Sequence, residues 1–127
     1  MKILIPLRNL KIAATFLINL INLLGCASPK SSPPQFVLFG VVEFKHNVVE
    51  DAVVSLEVCE GIKWISNGWT VRTDHRGRYR IKVELFPWTN HTYRVRVLYQ
   101  DKRGGLHLSE WKHGTVGAGT VRQDFKM

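Results

Sequence analysis

From residue 35 onward, apolar and polar side chains alternate with a period of two, which is the period of a β-strand. The segment 78–85 (RYRIKVEL) alternates without interruption, and the segment 92–99 (TYRVRVLY) repeats the pattern. The pattern predicts six strands, over residues 35–44, 52–58, 69–73, 78–85, 92–99 and 120–126. No segment of this part keeps a helical period over two turns. The predicted fold class is therefore all-β, a single antiparallel β-sandwich.

Residues 1–25 follow a different pattern, in which a cationic start precedes one apolar run. Lys2, Arg8 and Lys11 come first, and the 13 residues 12–24 are apolar except for one Thr and two Asn. A membrane-spanning helix needs about 20 apolar residues, so this run is too short to cross a bilayer. Its proportions are those of a secretory signal peptide.

The end of the apolar run, Leu23-Leu24-Gly25-Cys26, resembles the lipobox of bacterial lipoproteins. The resemblance implies cleavage between Gly25 and Cys26, a diacylglycerol on the Cys26 sulfur and, often, an acyl chain on its amino group. Ala27 fits the outer-membrane pattern if the envelope has an outer membrane, since Asp at that place favours retention in the inner membrane. Two alternatives stay open: a buried N-terminal helix with a chance cysteine, and an ordinary secretory signal cut just after Cys26.

Composition and charge describe the part of the chain that follows the predicted signal peptide, residues 26–127. Residues 26–35 hold Cys26 and a stretch rich in Pro and Ser, which predicts a flexible tether before a domain over residues 36–127. The chain has 18 Lys and Arg against 10 Asp and Glu; removing residues 1–25 takes away three cations and leaves 15 against 10, a net charge of +5. Two cysteines exclude a disulfide scaffold and a four-cysteine zinc site.

The segment 73–79 (TDHRGRY) predicts a structured turn. Asp74 is expected to accept backbone N–H groups, Gly77 to adopt a positive φ, and Tyr79 to point into the core at the start of the next strand.

This turn also belongs to a wider resemblance. Together with Gly40-Val41-Val42, Ala52 and the alternating residues 93–97, it resembles the carboxypeptidase regulatory-like, or transthyretin-like, β-sandwich domains over about residues 36–99. Asp51 stands where that family has Gly, and the segment 59–69 is longer than usual. The resemblance implies an accessory, binding or spacer module without an active site of its own.

Candidate catalytic and metal-binding residues are few. His107 and Glu110 form a His-x-x-Glu pair, but only 17 residues follow Glu110, too few for a metallopeptidase scaffold. The other histidines lie in predicted turns and polar segments without a dependable ligand spacing. No catalytic residue, metal or cofactor is therefore predicted. Cys59 is expected to be a partly buried, inert thiol; without lipidation of Cys26, the two cysteines could form a disulfide.

Five cations occupy the polar positions of two successive predicted strands: Arg78, Arg80, Lys82, Arg94 and Arg96. If these strands form a hairpin, the five share one face, where like charges directly opposite one another are destabilising. One hypothesis is a strip that binds an anionic envelope component or an acidic face of an envelope protein. The alternative is a solvated face balanced by acidic neighbours. Nucleic acid is not expected in this compartment, although such strips can bind it non-specifically.

The four tryptophans lie in or beside predicted loops: Trp64, Trp69, Trp88 and Trp111. We expect them to fill the ends of a small core; the alternative is exposed rings that stack on sugars or on a protein partner. The overall prediction is a lipid-anchored envelope lipoprotein, bound to the membrane by its N-terminal lipid, with a non-catalytic binding or structural module. The alternatives are a subunit of a larger envelope or secretion assembly and a carbohydrate-binding accessory protein.

Overall fold

A computed structural model describes residues 34–127 of the chain. The predicted signal peptide, the cleavage site at Gly25 and Cys26, and most of the tether lie outside the described residues. Within residues 34–127, no helix is long and apolar enough to cross a membrane. The first strand begins at Gln35, so the last residue assigned to the tether already belongs to a sheet.

The described residues form eleven strands and one four-residue helical turn, all but two of the strands shorter than nine residues. The strands are β1 (Gln35–Phe44), β2 (Asn47–Val48), β3 (Val53–Glu60), β4 (Lys63–Ile65), β5 (Thr70–Arg72), β6 (Arg78–Glu84), β7 (Thr92–Gln100), β8 (Leu106–Leu108), β9 (Lys112–Thr115), β10 (Gly119–Arg122) and β11 (Phe125–Lys126), and the turn is α1 (Leu85–Trp88). The prediction of an all-β fold is confirmed.

The first sheet is built around β1. On one edge β1 pairs antiparallel with β6 and β2, and on the other it pairs parallel with β10 and β11. These two parallel pairs depart from the purely antiparallel arrangement that the sequence predicts. They arise because the chain returns to the first sheet at Gly119, running in the same direction as β1.

The second sheet is built around β3 and β7, which pair antiparallel over Val53–Val58 and Tyr93–Leu98. On its other edge β3 pairs with β4 and β5, and β7 pairs with β8 and β9. Successive strands β6 and β7 therefore belong to different sheets, and the segment from α1 to His91 carries the chain from one sheet to the other.

The core lies between the two sheets and is filled by the apolar positions of the alternating segments. In β6 and β7 every predicted inward residue up to Val97 is buried, and every intervening residue is exposed or half-buried. The largest fully buried side chains are Tyr93, Phe36, Leu38 and Leu56, and the rings of Phe36 and Tyr93 lie 5.2 Å apart. The pleat of each strand thus separates core from surface.

The turn 73–79 links the two sheets. The Asp74 carboxylate accepts the backbone N–H groups of Arg76 and Arg78, each at 2.9 Å, and the Arg78 N–H holds the pKa of Asp74 below its usual range. Gly77 has a φ of +74°, and a Cβ there would lie 2.8 Å from the Val42 carbonyl oxygen. Tyr79 is buried, which raises the pKa of its phenol, and its hydroxyl donates to the Gln123 carbonyl at 2.5 Å.

Candidate functional site

The structure divides the five predicted cations between two surfaces. Arg78, Arg80 and Lys82 lie on the outer face of the first sheet, opposite Val41, Phe39 and Val37 of β1. Arg94 and Arg96 lie on the outer face of the second sheet, opposite Glu57 and Ser55 of β3. The single strip of five that a β6–β7 hairpin would create is therefore not formed. Pairing with β1 and β3 instead avoids the like-charge contacts of that hairpin.

On the second sheet, arginine and tryptophan side chains form a stack that crosses four strands or their flanks. The Arg94 guanidinium carbon lies 4.2 Å from the centre of the Trp64 ring and 4.1 Å from that of Trp111. The Arg96 guanidinium carbon lies 4.2 Å from the Trp111 ring. Trp111 thus lies between two guanidinium groups, an arrangement in which the indole quadrupole attracts both cations. All four side chains are half-buried.

One carboxylate fixes the centre of this stack. Glu57 faces Arg94 across the β3–β7 pair, with its Oε1 atom 2.8 Å from Arg94 Nε and 2.6 Å from an Arg94 terminal nitrogen. A salt bridge held between two aromatic rings is more ordered than an exposed ion pair. Arg96 has no such carboxylate: within residues 34–127 no salt bridge to it is found. Its charge remains available to an external partner.

Exposed leucines continue the same surface beyond Arg96. Leu98 follows on β7, and it faces Leu108 of β8, while Leu106 faces Gln100 two pairs further on. All three leucines are exposed, and Leu106 keeps 67% of its surface in contact with solvent. We refer to this surface as the Arg–Trp face; it comprises Trp64, Arg94, Trp111, Arg96, Leu98, Leu106 and Leu108.

The first sheet presents a second surface, a shallow cationic cleft of about 670 Å³. Phe39 and Val41 form its floor, and Arg72, Arg78, Arg80 and Arg122 lie around it. Asp74 pairs with Arg78 at 3.0 Å and Asp124 pairs with Arg122 at 2.9 Å, whereas Arg80 is in no salt bridge among the described residues. The cleft is therefore positive with an apolar floor, which suits an anion that carries an apolar group.

The histidines do not converge. His107 lies 2.7 Å from the Asp101 carboxylate, and this hydrogen bond, with the Gly105 N–H, holds the pKa of Asp101 below its usual range. Glu110, the other member of the His-x-x-Glu pair, is exposed. Across the part of the chain that the structure describes, no group of three or more His, Cys, Asp and Glu side chains is placed to hold a metal ion. Cys59 is a half-buried free thiol.

The tryptophans divide into two pairs. Trp69 and Trp88 are buried and meet edge to face, with ring centres 5.5 Å apart, as expected of core packing. Trp64 and Trp111 lie instead on the Arg–Trp face. Sequence reasoning missed their pairing with arginine because β4 and β9, which position them, are too short and polar to show alternation. One signal was available in the sequence: Trp111 and His113 are two residues apart, so they lie on the same face if the chain is extended there.

A scan against protein-family models found no match, and a search of curated proteins also found none. Among solved structures, the chain is similar to a DUF3823 family protein from Bacteroides uniformis, with a TM-score of 0.51 and 14% identity. That match covers 74% of this chain, which spans only 43% of the length of the DUF3823 chain. At this identity the likeness shows the fold alone, and it agrees with a β-sandwich domain.

Two further solved structures match at lower TM-scores. One is the dioxygenase domain of a dioxygenase carbohydrate-binding protein fusion from Streptomyces sp. SirexAA-E, with a TM-score of 0.48, 11% identity, and 78% of this chain and 82% of that one covered. The other is 3-chlorocatechol 1,2-dioxygenase from Rhodococcus opacus, with a TM-score of 0.41, 10% identity, and coverage of 77% and 61%.

Proposed function

We propose that this protein is a lipid-anchored lipoprotein of the bacterial cell envelope whose β-sandwich is a non-catalytic binding module. The anchor rests on the sequence: a cationic leader, a short apolar run and the Leu-Leu-Gly-Cys ending that resembles a lipobox. The module rests on the β-sandwich and on its resemblance to carboxypeptidase regulatory-like domains. With Ala27 after the cysteine, the outer membrane is the expected location in an envelope that has one.

The proposed anchor keeps the domain close to the membrane. Acyl chains contribute about 0.8 kcal/mol per buried methylene, so two or three long chains hold far more firmly than a single myristoyl group. Cys26 precedes Pro34 by eight residues, which span at most about 29 Å when fully extended. The binding surfaces of the module would therefore act within one domain length of the lipid headgroups.

The observation that carries the binding role is the Arg–Trp face. Arg94 is already held between two indoles and by Glu57. Its side chain therefore loses little conformational entropy when a partner binds. Arginine and tryptophan are enriched among the residues that dominate binding energy at protein interfaces. Arg96 then offers a cation beside exposed leucines, which fits a protein partner that presents a carboxylate next to apolar side chains.

A second candidate is a subunit of a larger envelope or secretion assembly. The three exposed leucines favour it, since apolar side chains grouped on one sheet face are typical of an interaction surface. Extraction of the protein from its native envelope in mild detergent separates the two candidates. A stable stoichiometric complex supports an assembly subunit, and weak or sub-stoichiometric partners support an accessory module.

The anchor is tested by metabolic labelling of the native host with an alkyne-bearing fatty acid. The wild-type protein is expected to carry the label, and Cys26→Ser to lose it. Cys59→Ser is the matched control, because it removes the only other cysteine and is expected to keep the label. An unlabelled wild-type protein, or one with an unmodified Cys26 by mass spectrometry, would contradict the proposed anchor.

The binding role is tested by charge reversal on one sheet with a matched reversal on the other. Arg96→Glu is expected to weaken partner recovery from detergent-extracted envelopes about tenfold, because it replaces an attractive charge contact with a repulsive one. Arg80→Glu, on the outer face of the first sheet, is the control and is expected to retain that partner. Equal recovery with both variants would refute the assignment of binding to the Arg–Trp face.

A further inference from the structure

The strands of both sheets bring several chain segments together at one end of the sandwich, which we call the tether end. The start of β1 lies there, because Gln35 faces Glu84 at the end of β6. The chain continues through α1 to the start of β7, where Tyr93 faces Val58 near the end of β3. The β3–β4 hairpin, with its tip at Gly61 and Ile62, therefore projects from the same end.

Backbone hydrogen bonds hold this end together. Asn90 N–H donates to the Val116 carbonyl at 2.8 Å, and Val116 N–H donates to the His91 carbonyl at 2.9 Å. The segment after α1 is thus tied to the connection between β9 and β10, and Trp88 is buried beneath it. These hydrogen bonds order the backbone that connects β6 to β7 at the tether end.

The two most exposed large apolar side chains found in residues 34–127 both lie at the tether end. Ile62, at the tip of the β3–β4 hairpin, is 97% exposed, and Phe86, in α1, is 89% exposed. A single exposed apolar residue on a protein surface needs no explanation. Here the two project at the end where residue 34 joins the segment that leads back to Cys26, eight residues earlier.

We infer that the tether end docks on the lipid bilayer, with Phe86 and Ile62 inserted between the headgroups. This inference rests on the proposed lipid anchor, which keeps the tether end within about 29 Å of the membrane and so gives it a high effective concentration there. Transfer from water to the interfacial region lowers the free energy of both an aromatic ring and a branched apolar side chain.

Charge plays little part in this docking. Lys63 and Lys82 lie near the tips, and Glu60 and Glu84 face Lys63 and Gln35 in the same part of the sheets, so cations and anions balance. Insertion of the two tips should therefore not require anionic lipids. With the tether end on the membrane, the Arg–Trp face and the cationic cleft lie on the sides of the domain and stay open to partners.

The experiment uses the lipidated protein purified from its host and reconstituted into phosphatidylcholine vesicles that contain a lipid-borne quencher. In a Cys59→Ser background, single cysteines replace Ile62, Phe86 or Leu106 and carry an environment-sensitive fluorophore. Leu106 is the matched control, since it is an exposed apolar residue near the other end of the sandwich. Labels at 62 and 86 are expected to shift to shorter wavelengths and to be quenched, and the label at 106 to remain as in water.

The fluorophore could itself favour lipid and so draw position 62 or 86 into the bilayer. A second variant separates that effect from docking by Phe86. With the label at position 62, Phe86→Ser is expected to lower the ratio of quenched to unquenched label about tenfold, because burial of a Phe side chain contributes enough free energy for that change. Val48→Ser, at an exposed apolar residue of β2 at the other end of the sandwich, should leave the ratio unchanged.

The outcomes separate the docking from the anchor. If the protein floats with the vesicles while labels at 62 and 86 behave like the label at 106, the docking is refuted and the anchor stands. If the protein does not float with the vesicles, the anchor and the docking both fail. If the tips are shielded in native envelopes and not in vesicles, a protein covers them and the lipid assignment is wrong.

Discussion

Thr73 is the one buried polar residue found in the described domain. Its hydroxyl makes two hydrogen bonds where the chain passes from one sheet to the other. The residue is 3% exposed. Its Oγ1 atom accepts the Ala52 N–H at 3.0 Å and donates to the Val49 carbonyl at 2.6 Å. Both partners belong to buried residues, so water cannot replace the hydroxyl. We predict that Thr73→Val, which keeps the shape and removes the hydroxyl, strongly destabilises the fold.

The magnitude follows from the two groups left without a partner. A buried donor or acceptor that loses its hydrogen bond costs about 1–3 kcal/mol, so the loss of both partners should cost about 2–6 kcal/mol. A domain of this length is stable by roughly 5–14 kcal/mol in total. The midpoint of thermal unfolding should therefore fall by at least about 10 °C. Thr73→Ser, which keeps the hydroxyl and loses one methyl group, should cost only about 1 kcal/mol.

The assay is urea unfolding of residues 27–127, followed by tryptophan fluorescence, to which the buried Trp69 and Trp88 contribute. The free energy of unfolding is compared for the wild type, Thr73→Val and Thr73→Ser at one pH and temperature. If Thr73→Val lies within about 0.5 kcal/mol of the wild type, or if Thr73→Ser is the less stable of the two variants, the hydroxyl does not have the role assigned to it.

Three further predictions follow from other contacts. Gly40→Ala should cost more than about 3 kcal/mol or prevent folding, because a Cβ would collide with the Gln123 carbonyl, whereas Gly117→Ala, where a Cβ meets nothing within 4 Å, should be neutral in the same urea assay. Arg94→Lys should cost about 1 kcal/mol and alter the near-ultraviolet circular dichroism of the tryptophans, since an ammonium group cannot stack between two indoles; an unchanged spectrum would contradict the stack. The folded-state pKa of Asp101 is lowered, so its stabilising effect is complete above the unfolded pKa of about 4 and is lost as the pH falls through the folded pKa. The stability gap between wild type and Asp101→Asn should therefore close in acid, and a gap that stays open there would contradict the prediction.

The sequence was sufficient to predict the fold class and the longer strands. β1 spans the predicted residues 35–44, and β6 and β7 each differ from their predicted spans by one residue. Local alternation is enough to predict these three strands, because each of them buries one face along its whole length. β2, β4, β8 and β9 have two to four residues each, too few for a period of two to stand out. The predicted strand 120–126 is interrupted at Gln123 and Asp124 and forms β10 and β11.

Strand partners and the candidate site were harder to predict, because both depend on non-local pairing. Alternation placed Arg94 and Arg96 on an outer face, yet it could not show that β3 is their neighbour or that Glu57 is the counter-charge of Arg94. The stacking of Trp111 on both arginines depends on the β7–β9 pair, in which His113 faces Arg94. No local pattern contains that register. A pattern of alternation therefore identifies which side chains face outward, and only the topology shows which of them meet.

The parallel pairing of β1 with β10 and β11 has a consequence for how the domain matures. Phe36 pairs with Gly119, and Val42 pairs with Phe125, in each case more than 80 positions later in the sequence. Contacts so distant in sequence form slowly. During synthesis, the amino-terminal part of the chain is made first. One edge of the apolar, aggregation-prone strand β1 therefore stays unpaired until residues 119–126 have been made. Chaperone demand during biogenesis should concentrate on that interval.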